Sequence, residues 1–152
     1  KKVIKVLSSV IKKTESSNDY GEYSRWSSNN DINTANAISH AACAVSRSQR
    51  IGVLATMTHS GYTARMAARY RPSAKIIAMT PFKETCRRLA IVWGVSPVLV
   101  GDYRSADEIP EIANSELIRL GLIKKGEKFV ITGGVPVGVS GTTNYLTVLK
   151  GI

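Results

Sequence analysis

The chain has 152 residues, 43% hydrophobic and 21% charged, a composition that excludes intrinsic disorder and suits one globular domain with a substantial core. Its formal net charge is +10, with the excess between residues 33 and 104, where ten basic residues stand against two acidic ones, and that balance favours an anionic partner. No apolar run approaches the ~20 residues of a spanning helix, and the start KKVIKVLSSVIKKTESS lacks a signal-peptide core, so the sequence predicts a soluble, cytoplasmic chain with no membrane partner.

Residues 1–17 place Val3, Val6, Leu7, Val10 and Ile11 on one side of a helix. Residues 18–32 are polar, turn-rich and without period, as a linker is. A stripe separated in this way either docks back onto the domain or marks a piece of a larger protein. NTANAISHAACAVSRS (33–48) is a second helix, with Ala37, Ala41, Ala44 and Val45 as its expected packing stripe and His40 as a structural residue.

From residue 51 onward, short β-rich runs alternate with helical patterns. IGVLATM (51–57) is a nearly continuous apolar run, expected for a strand covered on both faces. TARMAARY (63–70) is a helix stopped before Pro72, and KIIAM (75–79) the next strand. Thr80 and Pro81 are expected as N-cap and first residue of a helix running to Trp93, with Gly94 at its C-cap. VSPVLV (95–100) is a strand in which Pro97 suggests an edge. Ser105 and Glu108 form a capping box opening a helix to Gly121. KFVIT (128–132), a glycine-rich loop at 133–144 and YLTVL (145–149) complete the chain. That loop has no room for a crossover helix. The expected fold is therefore α/β in three layers: a mostly parallel five-stranded sheet, its last strand antiparallel at an edge, with helices on both faces.

Enzyme signatures are mostly missing. His40 and His59 are the only histidines, and the 133–144 loop lacks the lysine of a P-loop after Gly141. Cys43 and Cys86 are too few for a disulfide scaffold or a cysteine zinc site, and are expected to be reduced and buried. What remains is a phosphate-sized site. Thr58, His59, Ser60, Gly61 and Thr63 lie between a strand's carboxyl end and a helix start, where hydroxyls, free backbone N–H groups and a permissive glycine suit an anion. The loop with Ser140, Gly141, Thr142 and Thr143 leaves the sheet at the same end and could close over the ligand. The plain alternatives are a helix cap and a hairpin connection. Arg65 with Arg69, and Arg87 with Arg88, are expected as solvated helix faces. Aromatic residues make up only 7% and do not interleave with basic runs, which disfavours nucleic acid as a partner.

AISHAA (37–42), SGYTARMAARYRPSAKIIAMTP (60–81), RRLAIVWGVSPVLV (87–100) and ITGGVPVGVSGTTN (131–144) together resemble the C-terminal domain of pyruvate kinase over essentially all of 33–152. KVLSSVIKKTE (5–15) resembles the last helix of that family's catalytic barrel. The resemblance implies a parent homotetramer transferring the phosphoryl group of phosphoenolpyruvate to ADP with magnesium and potassium, none of whose catalytic or metal-binding residues lie here. It also implies an allosteric effector, with its phosphate on Thr58, His59, Ser60 and Thr63 and Gly61 in the turn. The candidates are AMP, ribose 5-phosphate, glucose 6-phosphate and fructose 1,6-bisphosphate. Family members binding the bisphosphate commonly have lysine where His59 stands, and hold the second phosphate with a tryptophan and an arginine near the capping-box helix. Residues 101–120 contain no tryptophan, Arg104 and Arg119 fall elsewhere, Trp93 belongs to the WGV motif and Trp26 to the linker. A monophosphate is therefore expected ahead of the bisphosphate. A domain serving only subunit assembly is the alternative.

Overall fold

A computed structural model describes residues 2–16, 33–139 and 141–152. The expected linker 18–32, with Trp26, and Ser140 lie outside the described residues. In chain order the elements are α1 (Lys2–Glu15), α2 (Thr34–Ser48), β1 (Val53–Met57), α3 (Tyr62–Arg69), β2 (Lys75–Thr80) and α4 (Lys83–Leu89). They continue as β3 (Val95–Leu99), a 3₁₀ turn at Ala106–Glu108, α5 (Ile109–Arg119), β4 (Lys128–Gly134) and β5 (Thr143–Lys150).

The sheet order is β3-β2-β1-β4-β5. β1 pairs in parallel with both β2 and β4, β2 in parallel with β3, and β4 antiparallel with β5. This is the three-layer mixed sheet expected from the alternating pattern. Every residue of β1 is buried, and its side chains alternate between two cores because successive strand residues point to opposite faces. Val53, Ala55 and Met57 join Ile77, Phe129 and Ile131 beneath Ile109, Ala113 and Leu117 of α5. Leu54 joins Ile76 and Val130 beneath Ala42 and Cys43 of α2 and Ala67 and Ala68 of α3. Pro97 sits on edge strand β3, as its missing N–H requires.

Three local expectations are corrected. Thr80 is the last residue of β2, not an N-cap: it stays in the ladder, paired with Leu99, and its carbonyl accepts from Val100 N at 3.0 Å. The helix starts only at Lys83, with Phe82 as its cap residue. α4 also ends at Leu89 rather than Trp93, followed by tight i→i+3 turns such as Val92 N to Leu89 O at 3.0 Å. Gly94 does adopt the left-handed conformation, at φ +68°. On α2 the buried residues are Ala35, Asn36, Ser39, Ala42, Cys43 and Ser46, while Ala37 and Ala44 are exposed and Ala41 and Val45 half-buried. Alanine occurs all around this helix, so an apolar-only pattern misplaces the stripe; the small residues Ser39 and Ser46 let the helix lie close to the sheet.

The capping box is present. Ser105 Oγ accepts from Asp107 N at 3.2 Å and Glu108 Oε1 accepts from Ser105 N at 2.8 Å. Cys43 is buried and free, and burial pushes its thiol up to about 12; Cys86 is free and only partly buried. His40 packs edge-on against Tyr70, with ring centroids 5.2 Å apart. α1 buries no residue: Val3, Ile4, Val6, Leu7, Val10 and Ile11 are each between 54% and 71% exposed, so the stripe does not dock back onto the sheet. The carboxylate of Glu15, at the end of α1, accepts from Trp93 Nε1 at 2.7 Å.

Two leucine substitutions distinguish the faces of α2. Ala42→Leu, at a fully buried position, is expected to cost about 1–3 kcal/mol by overpacking. Ala44→Leu, on the exposed face, should stay within about 0.5 kcal/mol of the parent. Urea unfolding midpoints measure both, and the reverse ranking would refute the assignment.

Candidate functional site

Strands that are parallel and adjacent end side by side, so the chain leaving β1 and the chain leaving β4 emerge together. Gly133 lets them approach more tightly than a side chain would ordinarily sit. A Cβ there would lie 3.2 Å from Met57 Cβ and 3.3 Å from Met57 O. The first loop is the turn at 58–61 leading into α3. The second is the hairpin loop at 135–142 between β4 and β5.

Side chains from three segments hold the first loop. Thr58 Oγ1 accepts from Gly61 N at 2.9 Å, Arg65 Nη2 donates to Ser60 O at 2.8 Å, and Thr85 Oγ1 donates to His59 O at 2.7 Å. Arg65 thus clamps the turn instead of lying on a solvated face, while Arg88 pairs with Glu84 in the expected exposed position. Gly61 is the N-cap of α3 at φ +83°, with no side-chain cap. The first N–H groups of α3 therefore have no intrahelical partner, and the helix presents its positive end to the site.

In the hairpin, Asn144 stands in for a strand pair. Its Oδ1 accepts from Val135 N at 2.8 Å and its Nδ2 donates to Val135 O at 2.6 Å. Within the loop, Thr142 Oγ1 donates to Val139 O at 2.8 Å. Gly134 passes so near Thr142 that a Cβ would fall 2.6 Å from its carbonyl oxygen. The two loops are joined by a buried bond between Thr63 Oγ1 and Thr143 Oγ1, 2.8 Å long.

Between them lies a small pocket of about 30 Å³, space on the order of two waters. Thr58, His59, Ser60 and Thr63 line one side, and Gly141 and Thr142 the other. Gly61 and Thr143 are not part of the lining; they shape it from behind, through the turn and the Thr63 bond. Met57, Tyr62, Tyr103, Ile109, Gly134 and residues 137–139 complete the wall. The His59 ring lies between Phe82 and Tyr103, with centroids 5.4 and 5.0 Å away, and its Nε2 is buried with no hydrogen-bond partner. Burial, with Asp102 beside it, pushes the Tyr103 phenol well above its ordinary value. Among the described residues no lysine or arginine lines the pocket. Arg104 lies 3.9 Å from Asp102, Arg119 is paired with Glu116, and Trp93 faces Glu15 and Arg71.

Tyr103, Phe82 and Asn144 were not anticipated from the sequence. The available signal was topological, since every parallel strand ends on this side and Tyr103 follows β3 closely. Among the described residues no group of three or more His, Cys, Asp or Glu is placed to hold a metal ion. No helix of the described residues is long and apolar enough to cross a membrane.

Fold and site together define a three-layer α/β domain with a small pocket where two loops meet beyond the strand ends. The family described as "Pyruvate kinase, alpha/beta domain" matches residues 36–149. Pyruvate kinase of Clostridium acetobutylicum is 32% identical over 146 residues, covering 95% of this chain and 31% of that protein. That of Staphylococcus aureus (strain USA300) is 36% identical over 118 residues, covering 78% of this chain and 20% of that protein. The solved structure of Cryptosporidium parvum pyruvate kinase in complex with ADP superposes with a TM-score of 0.71 at 25% identity, over 81% of this chain and 24% of that one. The chain belongs to the pyruvate kinase family, a family of kinases, as its C-terminal α/β domain. It spans under a third of the length of these relatives.

The bond joining the two loops is open to a double-mutant cycle. Thr63→Val and Thr143→Val should each cost about 1–3 kcal/mol, because each leaves the other buried hydroxyl unpaired. The double variant should lose clearly less than the sum of the two. Strictly additive losses in urea unfolding would show that the bond is absent in solution.

Proposed function

We propose that this chain is the effector-binding regulatory domain of a cytoplasmic, tetrameric pyruvate kinase. Residues 33–152 form the domain, 18–32 the linker, and 1–17 the helix that ends the catalytic barrel. Phosphoryl transfer from phosphoenolpyruvate to ADP, with its magnesium and potassium, belongs to the barrel, and this chain does not turn over substrate alone. The observation that carries the reading is the convergence of two loops on one pocket. Thr58, His59, Ser60 and Thr63 come from one and Gly141 and Thr142 from the other, at the uncapped start of α3.

The ligand is a phosphorylated metabolite, with a monophosphate ranked ahead of fructose 1,6-bisphosphate. A second phosphate would need cationic partners, and among the described residues the pocket lining offers no lysine or arginine. An allosteric ligand of this kind acts by binding one conformation of the enzyme better than another. The second reading, a domain serving assembly alone, draws support from the uncovered apolar stripe of α1 and the open edge of β5.

Isothermal titration with AMP, ribose 5-phosphate, glucose 6-phosphate and fructose 1,6-bisphosphate separates the readings. One of them is expected to bind with a micromolar Kd, and Ser60→Ala should weaken it roughly tenfold by removing one hydrogen bond to a charged group. Silence for all four, with a stable dimer by light scattering, would replace the effector reading with the assembly reading.

A further inference from the structure

We infer that the cavity between the hairpin and the start of α2 is a second compartment of this site, and that it takes the neutral, ring-bearing part of a phosphate monoester whose phosphate sits in the pocket. The inference rests on reading the pocket as an anion site, and it adds where the rest of the ligand lies and what it is made of. The cavity measures about 470 Å³, against about 30 Å³ for the pocket. Tyr62, Gly141 and Thr142 line both spaces. Thr63 lines only the pocket and Thr143 only the cavity, and their hydroxyls are 2.8 Å apart. The two spaces are therefore near enough for one phosphate ester to reach both, with its larger part in the larger space.

The lining of the cavity is that of a site for uncharged groups. Among the described residues it holds no lysine, arginine or histidine and no carboxylate. Its polar side chains are partly committed. Asn33 Oδ1 caps α2 by accepting from Asn36 N at 2.8 Å, Asn144 is bonded to both polar backbone atoms of Val135, and Thr143 is bonded to Thr63. Tyr62 and Thr34 supply an aromatic ring and a further hydroxyl. A sugar or nucleoside suits such a set, because it presents an apolar ring face to an aromatic side chain and hydroxyls to a few polar groups. A second phosphate would leave water there without a compensating charge. Placement separates the compartment from the other wall of the pocket. α2 covers the Leu54 face of the sheet, whereas α5 and its capping box lie over Val53, Ala55 and Met57 on the opposite face, so the ring lies on the side away from α5.

Thr34 is exposed and lines only the cavity, so Thr34→Trp fills the compartment without altering the pocket lining. Calorimetric titration of the 152-residue chain with inorganic phosphate, ribose 5-phosphate, glucose 6-phosphate and AMP tests the inference. At least one of the three esters is expected to bind about tenfold more tightly than inorganic phosphate, and Thr34→Trp should remove that advantage while inorganic phosphate keeps its affinity within about twofold. Within that result, tighter binding of AMP than of ribose 5-phosphate assigns the space to a nucleoside, and the reverse assigns it to a sugar. An advantage that survives in a folded Thr34→Trp overturns the compartment and leaves the anion site standing, and so do three esters that bind no better than inorganic phosphate. Should Thr34→Trp fail to fold in a thermal melt, nuclear Overhauser contacts in the parent chain decide. Ring protons of the preferred ester should contact the Thr34 and Ala35 methyl groups, and contacts to Ile109 and Val137 in their place overturn the inference. Absence of binding by all four removes the anion site and this inference with it.

Discussion

The structure depends on β1 being paired in parallel on both sides and covered on both faces. Its five residues are all buried, so it can have neither a polar face nor an exposed edge, and the neighbouring elements follow from that. Parallel pairing forces each flanking strand to return through a connection that crosses a face, which places α3 on the Leu54 side and α5 over Val53, Ala55 and Met57, while α2, preceding β1, packs beside α3 on the Leu54 face. Small residues make the arrangement possible. α2 meets its core through Ala42 and Cys43, with Ser39 and Ser46 buried on the same face, and α3 through Ala64, Ala67 and Ala68. Only strand β5, reached by a hairpin, escapes the parallel rule, and it closes one side of the sheet.

The same constraint produces the pocket. With β1 and β4 in parallel register, their carboxyl ends are adjacent, and Gly133 removes the last spacing between them. The turn after β1 is tied by the side chains of Thr58 in the turn itself, Arg65 of α3 and Thr85 of α4. The hairpin is tied at its neck by Asn144 and to α3 by the Thr63–Thr143 bond, and within it Thr142 Oγ1 donates to Val139 O.

Much of the sheet could be read from the sequence because the physics was local. A continuous apolar run such as VLATM has few alternatives to a central parallel strand, and a loop of about ten residues cannot make a parallel crossover. Ser105 and Glu108 are three residues apart, and their capping box needs nothing else. The misreadings came where a distant partner overrode local chemistry. Thr80 and Pro81 carry good helix-start residues, but the pairing of Thr80 with Leu99 keeps that residue in the strand. On α2 the rotation of the helix is decided by which small residue fits the sheet, and alanines on every face leave no local sign of it. In the site, Thr58, His59, Ser60 and Thr63 were visible as one segment. Tyr103 and Phe82 reach the His59 ring from two other strand ends, and their meeting is a property of the sheet order rather than of any motif.

The distribution of charge separates attraction from recognition. Residues 33–104 carry a large basic excess, yet none of those lysines or arginines lines the pocket. Arg69, Arg87 and Lys75 lie on outer surfaces or at the opposite end of β2, and Arg65 spends its guanidinium on a backbone carbonyl. Exposed cations of this kind raise the local concentration of any anion and are screened by salt, without distinguishing one phosphate from another. Inside the pocket the discriminating groups are uncharged hydroxyls, backbone N–H groups and one imidazole. An anion site built from such groups would gain little from a second phosphate and much from fit around the first, whereas a pocket lined with lysine would bind more tightly but accept more kinds of polyanion.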